Sequence, residues 1–303
     1  MISLFTLLSI LAGVLTALSV AQNGQLAGFY GNYSATVMIH VVGLVTVLFF
    51  RVLSSKKLPP KQATKPWMFM GGMVGVATTV FINQAYGGVS VTAIIGLGLL
   101  GQILTSIAVD HFGLLGANRS PFFAKRLYEV AVVVLGAVIM LLPFQANSWL
   151  AVLMALCSGV TIVIARTING KLATRQGALR STVMNYVTGL LTGTVMMLLL
   201  GRGEPIWVTG FQASSNVFMY LGGAAGVGLI MILNMTVHKI PAFALTMLQF
   251  TGQIFTGLLL DALAFGKFSW QSAVGGLLVA VGLCLDSYFT KAKKKQAVPL
   301  AEP

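Results

Sequence analysis

The chain has 303 residues, of which 57% are hydrophobic and only 8% are charged, and its mean hydropathy is +0.90. Soluble domains carry about 25% charged residues, so this composition excludes a soluble globular protein, a nucleic-acid binder and a disordered chain. The net charge is +13, and the basic residues lie between long apolar runs, as they do in the cytoplasmic loops of membrane proteins. Cys157 and Cys284 lie within apolar runs and are interpreted as small core residues.

Ten apolar stretches are long enough to cross a lipid bilayer, which requires about 17–25 helical residues. In chain order these stretches cover residues 3–22, 35–52, 67–86, 90–109, 126–144, 148–166, 181–200, 217–237, 241–260 and 270–289. Because a helix satisfies its own backbone hydrogen bonds in lipid, the pattern predicts an all-α integral membrane protein with ten transmembrane helices.

The distribution of lysine and arginine predicts the orientation of these helices. If both termini lie in the cytoplasm, 17 of the 19 basic residues fall in cytoplasmic segments, and only Arg202 and Lys267 fall outside. The positive-inside rule favours this orientation over the reverse one. The basic run at 291–295 is then a topology anchor, with contact to anionic lipids as a second interpretation.

The chain also contains an internal repeat. With a shift of 146 residues, segment 13–46 matches segment 159–192 at 14 of 34 positions. With a shift of 151 residues, segment 71–110 matches segment 222–261 at 12 of 40 positions. Matches at Asn, Gln and Asp carry the most weight, since these residues are rare in the chain. They are Asn23 with Asn169, Asn83 with Asn234, Gln102 with Gln253, and Asp110 with Asp261.

Each half of the repeat holds five predicted spans, and this odd number requires the second half to enter the membrane upside down. The sequence therefore predicts two inverted five-helix repeats, over residues 1–146 and 147–290, followed by a basic cytoplasmic tail over 291–303. Inverted repeats are typical of secondary transporters, in which the two halves exchange roles to open the protein to either side of the membrane.

Several motifs in the first half resemble one known family. They are the runs Gln22–Ala27, Gly71-Gly72, Gly101–Ser106, Asp110–Gly116 and Arg126-Leu127. Together they resemble the signature of the YdcZ-like branch of the drug/metabolite transporter (DMT) superfamily, in a fused two-repeat form that covers about residues 5–290. The second half departs from the pattern, because Asp261 is followed by Ala-Leu-Ala-Phe rather than by His-Phe-Gly-Leu.

The resemblance implies a DMT/EamA-like fold of ten helices around a central cavity. That cavity would be lined mainly by the first, third, fourth, sixth, eighth and ninth spans. The resemblance further implies transport of small organic solutes across the bacterial cytoplasmic (inner) membrane, and it favours export. It identifies neither the solute nor a coupling ion.

Polar side chains inside a membrane are costly and usually face a cavity or a partner. Gln102 and Gln253 lie near the middle of their spans, where an amide can form hydrogen bonds with a polar solute or with neighbouring helices. Six further residues are candidates for binding the solute, with capping of helix ends or packing as the alternative for the asparagines. They are Asn83, Asn234, Tyr86, Tyr186, Asn23 and Asn169.

The titratable residues in the spans have two interpretations. His40 is the candidate for carrying a coupling proton, since imidazole titrates near neutral pH, and the alternative is a neutral histidine bonded to another helix. The acids lie near span ends rather than in the middle, which favours structural ion pairs over a proton relay. The predicted pairs are Asp110 with Arg126 or Arg119, and Asp261 with Lys267.

These observations predict a secondary active transporter that moves a small organic solute by alternating access, with export as the favoured direction and proton coupling as an open option. Motifs for ATP hydrolysis, for a metal site and for a catalytic triad are absent from the sequence, so we expect no cofactor and no enzymatic activity. Since no carboxylate lies near the middle of a span, a neutral, aromatic or zwitterionic solute is favoured. The other expected partners are membrane lipids, with a monomer or a homodimer as the assembly. The alternatives are a membrane-embedded lipid-handling protein or enzyme, and a channel.

Overall fold

The structure is a computed structural model that describes residues 4–53, 60, 62–116, 126–140, 142, 148–236, 242–266, 270–279 and 281. Its regular elements are helices. They are α1 (Leu4–Tyr30), α2 (Asn32–Leu53), α3 (Gly71–Ala85), α4 (Val91–Phe112), α5 (Arg126–Met140), α6 (Trp149–Gln176), α7 (Ala178–Leu200), the short α8 (Pro205–Thr209), α9 (Gly222–Thr236), α10 (Ala242–Phe265) and α11 (270–279). Tight 3₁₀ turns over Pro66–Phe69 and Val217–Leu221 lead into α3 and α9.

Among the described residues, six segments are both long and apolar enough to cross a membrane. They are Leu4–Tyr30, Asn32–Leu53, Pro66–Ala85, Val91–Val109, Trp149–Gln176 and Ala178–Leu200. Shorter apolar helices cover Ala131–Met140 and Val217–Leu233. The described part of the chain is therefore an all-helical membrane protein, and the count of ten spans stays a prediction.

Two helices run well beyond the spans that the hydropathy predicts. The first predicted span ends at residue 22, whereas α1 continues to Tyr30, and the span over 148–166 continues as α6 to Gln176. Polar residues lower the hydropathy of these last turns without breaking the helix. What ends each helix is a glycine at positive φ, Gly31 (φ 99°) and Gly177 (φ 86°), a conformation that other residues rarely adopt. The two glycines are 146 residues apart and so are repeat mates.

Glycines bring helix backbones into direct contact at two equivalent places. Gly101 on α4 lies against the backbone carbonyl of Leu156 on α6, and Gly252 on α10 lies against the carbonyl of Ile10 on α1. These positions are related by the same two sequence shifts that define the repeat. Small residues allow such close approach in lipid, where helices associate through packing rather than through the hydrophobic effect.

The partner helices contribute glycines of their own. Gly13 on α1 meets the backbone of α10 at Gln249, and Gly159 on α6 meets the backbone of α4 at Gly98. Each of these pairs is again reproduced by the repeat. The contacts α1–α10 and α4–α6 are therefore the same structural unit, used twice.

The helices α2 and α7, one from each half of the repeat, pack against each other. The rings of His40 and Tyr186, which are repeat mates, lie edge to face with centroids 5.9 Å apart. Gly43 leaves room for the Tyr186 ring, and Gly189 leaves room for the His40 ring. This reciprocal arrangement puts the His40–Tyr186 pair at the centre of the pseudo-symmetry.

The glycine contacts generate a stability prediction. An alanine in a helix is normally more stable than a glycine, by about 0.5–1 kcal/mol. At Gly101 or Gly252, however, the added methyl group would overlap a neighbouring backbone carbonyl. We expect Gly101→Ala and Gly252→Ala to destabilise the protein in detergent by about 1–3 kcal/mol. Thermal unfolding of the purified variants measures the effect.

The matched control is Gly170→Ala, because a methyl group there has open space within 4 Å and the residue lies in the same helix as Leu156. This variant should be as stable as the parent protein or more so. Equal stability of all three variants would contradict the close backbone contacts.

Candidate solute cavity

A cavity of about 290 Å³ lies at the centre of the helices, between the two α1–α10 and α4–α6 units. Its walls come from α1, α2, α3, α4, α6, α7, α9 and α10. Pockets for drug-sized ligands measure about 300–1,000 Å³, so this cavity suits a solute of modest size. Much of its wall is apolar, and isoleucines such as Ile82, Ile94 and Ile95 contribute to it.

Gln102 and Gln253 both line the cavity, one from each half of the repeat. The backbone of each lies beside a glycine of the partner helix, Gly159 for Gln102 and Gly13 for Gln253. The close helix contacts thus hold both amides at the wall. Whether the amides contact solute stays a prediction.

Asn23, His40 and Tyr186 also line the cavity. The amide of Asn23 donates to Ser19 Oγ at 3.2 Å, while its buried Oδ1 has no hydrogen-bond partner among the described residues. The hydroxyl of Tyr186 donates to the carbonyl of Gly223 at 3.3 Å. His40 Nδ1 lies 2.7 Å from the carbonyl of Thr36, one turn earlier in its own helix.

The structure places one other candidate residue, Asn169, behind the cavity wall. Asn169 packs against Gly71 and donates to Asn185 Oδ1 at 2.8 Å, and it is Asn185 that lines the cavity. Asn169 is thus arranged to orient Asn185 rather than to face the cavity.

Three candidates remain, and none lies in the described cavity wall. Asn83 is buried, and neither of its amide atoms has a hydrogen-bond partner among the described residues. Tyr86 covers Gly24 on α1. The side chain of Asn234 lies outside the described residues.

Asp261 has a structural role, but its described partners differ from the predicted one. This buried side chain accepts hydrogen bonds from the backbone N–H groups of Val91 (2.8 Å) and Thr92 (3.0 Å) and from Thr92 Oγ1 (2.7 Å). The carboxylate therefore caps the N-terminus of α4, where free N–H groups and the helix dipole favour a negative charge. Lys267 lies outside the described residues, as do Arg119 and the side chains of Asp110 and Arg126.

Glu204 makes the same kind of contact, and the sequence analysis did not single it out. Its carboxylate accepts hydrogen bonds from the N–H groups of Tyr33 (2.6 Å) and Ser34 (2.8 Å) and from Ser34 Oγ (2.6 Å), at the start of α2. The acid and the helix end are about 170 residues apart in the chain. No local motif could have joined them.

Arg166 is the second residue that the sequence analysis missed as a site residue. Hydropathy ends the predicted span at Arg166 and so places this residue among the cytoplasmic charges, but α6 continues for ten more residues and Arg166 lines the cavity. Its Nη2 lies 3.5 Å from Gln102 Oε1. The repeat offered one indication of this position, because Val20, the repeat mate of Arg166, lies inside the first predicted span.

The comparisons with known proteins agree with this arrangement. The family model described as "Putative inner membrane exporter, YdcZ" matches the chain twice, over residues 4–139 and 150–285. The chain belongs to the YdcZ family. It is a two-repeat member, as the internal matches predict, and the description of its family is that of an inner-membrane exporter.

The fold also resembles solved structures, of which 25 chains match. One of them, titled "Crystal structure of protein", has a TM-score of 0.62 at 16% sequence identity. The match covers 96% of this YdcZ-family chain and 97% of the other chain, so the likeness extends over the whole fold. A search of curated proteins gave no match.

The contact between Asp261 and α4 predicts a loss of stability on neutralisation. In Asp261→Asn, an NH2 group would replace one carboxylate oxygen, so the backbone N–H of either Val91 or Thr92 would lose its acceptor. We expect this variant to lose about 1–3 kcal/mol of stability, measured by thermal unfolding in detergent.

Thr92→Val is the matched comparison, since it removes only the hydroxyl donor and leaves both backbone bonds in place. Its loss of stability should be smaller. An Asp261→Asn variant as stable as the parent protein would show that the carboxylate does not hold the end of α4.

Proposed function

We propose that this protein is a secondary active transporter that exports a small organic solute across the cytoplasmic membrane by alternating access. The observation that carries the proposal is a central cavity whose wall is built from equivalent residues of the two repeats. The exporter description of the family supports the direction of transport.

The equivalence of the two walls extends over several positions. Ten pairs of residues line the cavity at repeat-related positions, namely Thr16 with Ile162, Val20 with Arg166, Ile39 with Asn185, His40 with Tyr186, Gly75 with Gly226, Thr78 with Leu229, Thr79 with Ile230, Ile82 with Leu233, Gly98 with Gln249, and Gln102 with Gln253. If the two halves are inverted, exchanging their conformations converts a cavity open to one side into one open to the other. A wall shared equally between the halves is what this mechanism requires.

Asp261 is suited to act as a latch in such a cycle. It joins α10 to α4, the helices that carry Gln253 and Gln102, through three hydrogen bonds at one end of the cavity. With cytoplasmic termini, as the charge distribution predicts, this end faces outward. Opening outward would break these bonds, and the repeat assigns the corresponding position at the inner end to Asp110.

The proposal includes proton coupling through His40. The imidazole lies at the cavity, against its repeat mate Tyr186, where a change of charge would act on both halves. Its Nδ1 is engaged by the carbonyl of Thr36, which also suits a permanently neutral histidine. A pH gradient across proteoliposomes that leaves the flux unchanged would remove proton coupling from the mechanism.

The first test is to find a solute that the protein binds and moves. Purified protein is screened by thermal shift against small neutral, zwitterionic and anionic organic compounds, and compounds that bind are then followed across proteoliposome membranes. We expect saturable flux that requires the protein. Flux that does not saturate would favour a channel, and chemical conversion of a bound compound would favour an enzyme.

The amide residues generate the prediction specific to this cavity. Gln102→Ala and Gln253→Ala should each weaken solute binding by about 1–3 kcal/mol, or roughly one to two decades in Kd, because a hydrogen bond to the solute is lost. Titration calorimetry with the compound from the screen measures this change.

Gln212→Ala serves as the control, since this side chain is exposed and lies outside the cavity wall. It should bind solute as the parent protein does. Unchanged affinity in both cavity variants would show that the amides are packing groups.

A further inference from the structure

The cavity holds a basic residue that the proposed function leaves without a role. Arg166 is exposed within the cavity wall, and the only hydrogen bond described for its guanidinium is the long contact of 3.5 Å with Gln102 Oε1. A guanidinium carries five N–H donors and no acceptor. Most of these donors therefore have no hydrogen-bond partner among the described residues.

The acids of the chain are placed elsewhere. The sequence contains six in total. The two carboxylates that the structure describes, Asp261 and Glu204, cap the N-termini of α4 and α2. Asp110 is eight residues beyond Gln102 on α4, which is about 12 Å along the helix axis. Among the described residues, Arg166 thus has no carboxylate partner.

A cation inside a membrane protein is costly unless an anion or a set of acceptors compensates it. Arginine is also the side chain best shaped for a carboxylate, which it binds through two parallel N–H···O bonds. A solute that carries a carboxylate would supply the missing partner. The amide of Gln102 would then lie next to the bound carboxylate as a second polar group.

We propose that the solute is a small organic anion whose carboxylate binds Arg166. This inference rests on the proposed function and specifies its substrate class. It also differs from the sequence-based expectation of a neutral, aromatic or zwitterionic solute, in which Arg166 is a charge at the cytoplasmic end of its span.

The pseudo-symmetry then orients the solute. The repeat mate of Arg166 is Val20, which lines the opposite wall and carries no charge. The carboxylate therefore lies on the side of α4 and α6. The rest of the molecule extends toward Gln253 and past apolar residues such as Ile94 and Ile95, within a volume of about 290 Å³.

The test uses pairs of compounds that differ only in charge. Benzoate and benzamide form one pair, nicotinate and nicotinamide the other, and each compound is titrated against the detergent-purified full-length protein by calorimetry. We expect at least one carboxylate to bind about 10- to 100-fold more tightly than its amide. The preference should shrink as the salt concentration rises, because ions screen the attraction.

Variants of Arg166 assign the preference to this residue. Arg166→Gln should abolish the difference between carboxylate and amide, while Arg166→Lys should keep part of it, since lysine retains the charge without the paired donors. The control is Arg175→Gln, which removes an exposed positive charge from the same helix, away from the cavity wall, and should keep the full preference. If Arg166→Gln does not fold, the lysine variant and the salt dependence of the parent protein carry the test.

Several results would overturn the proposal. One is equal or weaker binding of both carboxylates, including the absence of any binding by the four compounds. Another is a preference that survives in Arg166→Gln. A third is a more than tenfold gain in carboxylate affinity in Asp110→Asn, which would show that Asp110 already neutralises the guanidinium.

Failure of this inference is distinguishable from failure of the proposed function. Saturable proteoliposome flux of a neutral compound, without preference for a carboxylate, would overturn the anion site and leave transport standing. Carboxylate binding through Arg166 without any flux would support the site and overturn transport.

Discussion

The structure depends on glycines that let helix backbones touch. In a bilayer, the lipid tails are as apolar as the side chains, so helices gain little from burying leucine against leucine. Contact between α1 and α10, and between α4 and α6, instead relies on Gly252 and Gly101, each lying directly against a carbonyl of the partner helix. A larger residue at either position would push the helices apart.

The same contacts determine the positions of the two cavity amides. Gln102 and Gln253 each follow one of these glycines by a single residue, and both face the cavity. The close approach on one side of α4 and α10 thus fixes which side faces inward. Because the two units are repeat-related, the same glycine contact occurs in both, and the two walls of the cavity have matching positions.

Much of this could be predicted from the sequence, for a physical reason. A glycine that touches a backbone leaves no room for a larger side chain, and an amide is costly in lipid, so matches between the halves at these residue types stand out. The role of Arg166 was missed because hydropathy falls at an arginine whether the helix ends there or continues to Gln176. The partners of Asp261 were missed for another reason, since its bonds join residues 169 and 170 positions apart.

The two halves are alike in packing but not in charge. Arg166 faces Val20 across the pseudo-symmetry, and His40 faces Tyr186. A fused pair of repeats can diverge in this way, since each half is free to carry one part of the work. In our account, the shared backbone contacts provide the alternating mechanism, and the residues that differ provide the selectivity.

Side-specific labelling with a lock on one end of the cavity tests this account most directly. In a background without Cys157 and Cys284, a cysteine replaces Thr16 in the cavity wall, and cysteines at Thr92 and Asp261 are joined by a short thiol cross-linker before labelling. We predict that the unlocked protein is labelled at position 16 from both sides of the membrane. The lock should abolish labelling from the outer side and preserve it from the inner side. Labelling that the lock leaves unchanged, or that occurs from one side only in the unlocked protein, would contradict alternating access through this cavity.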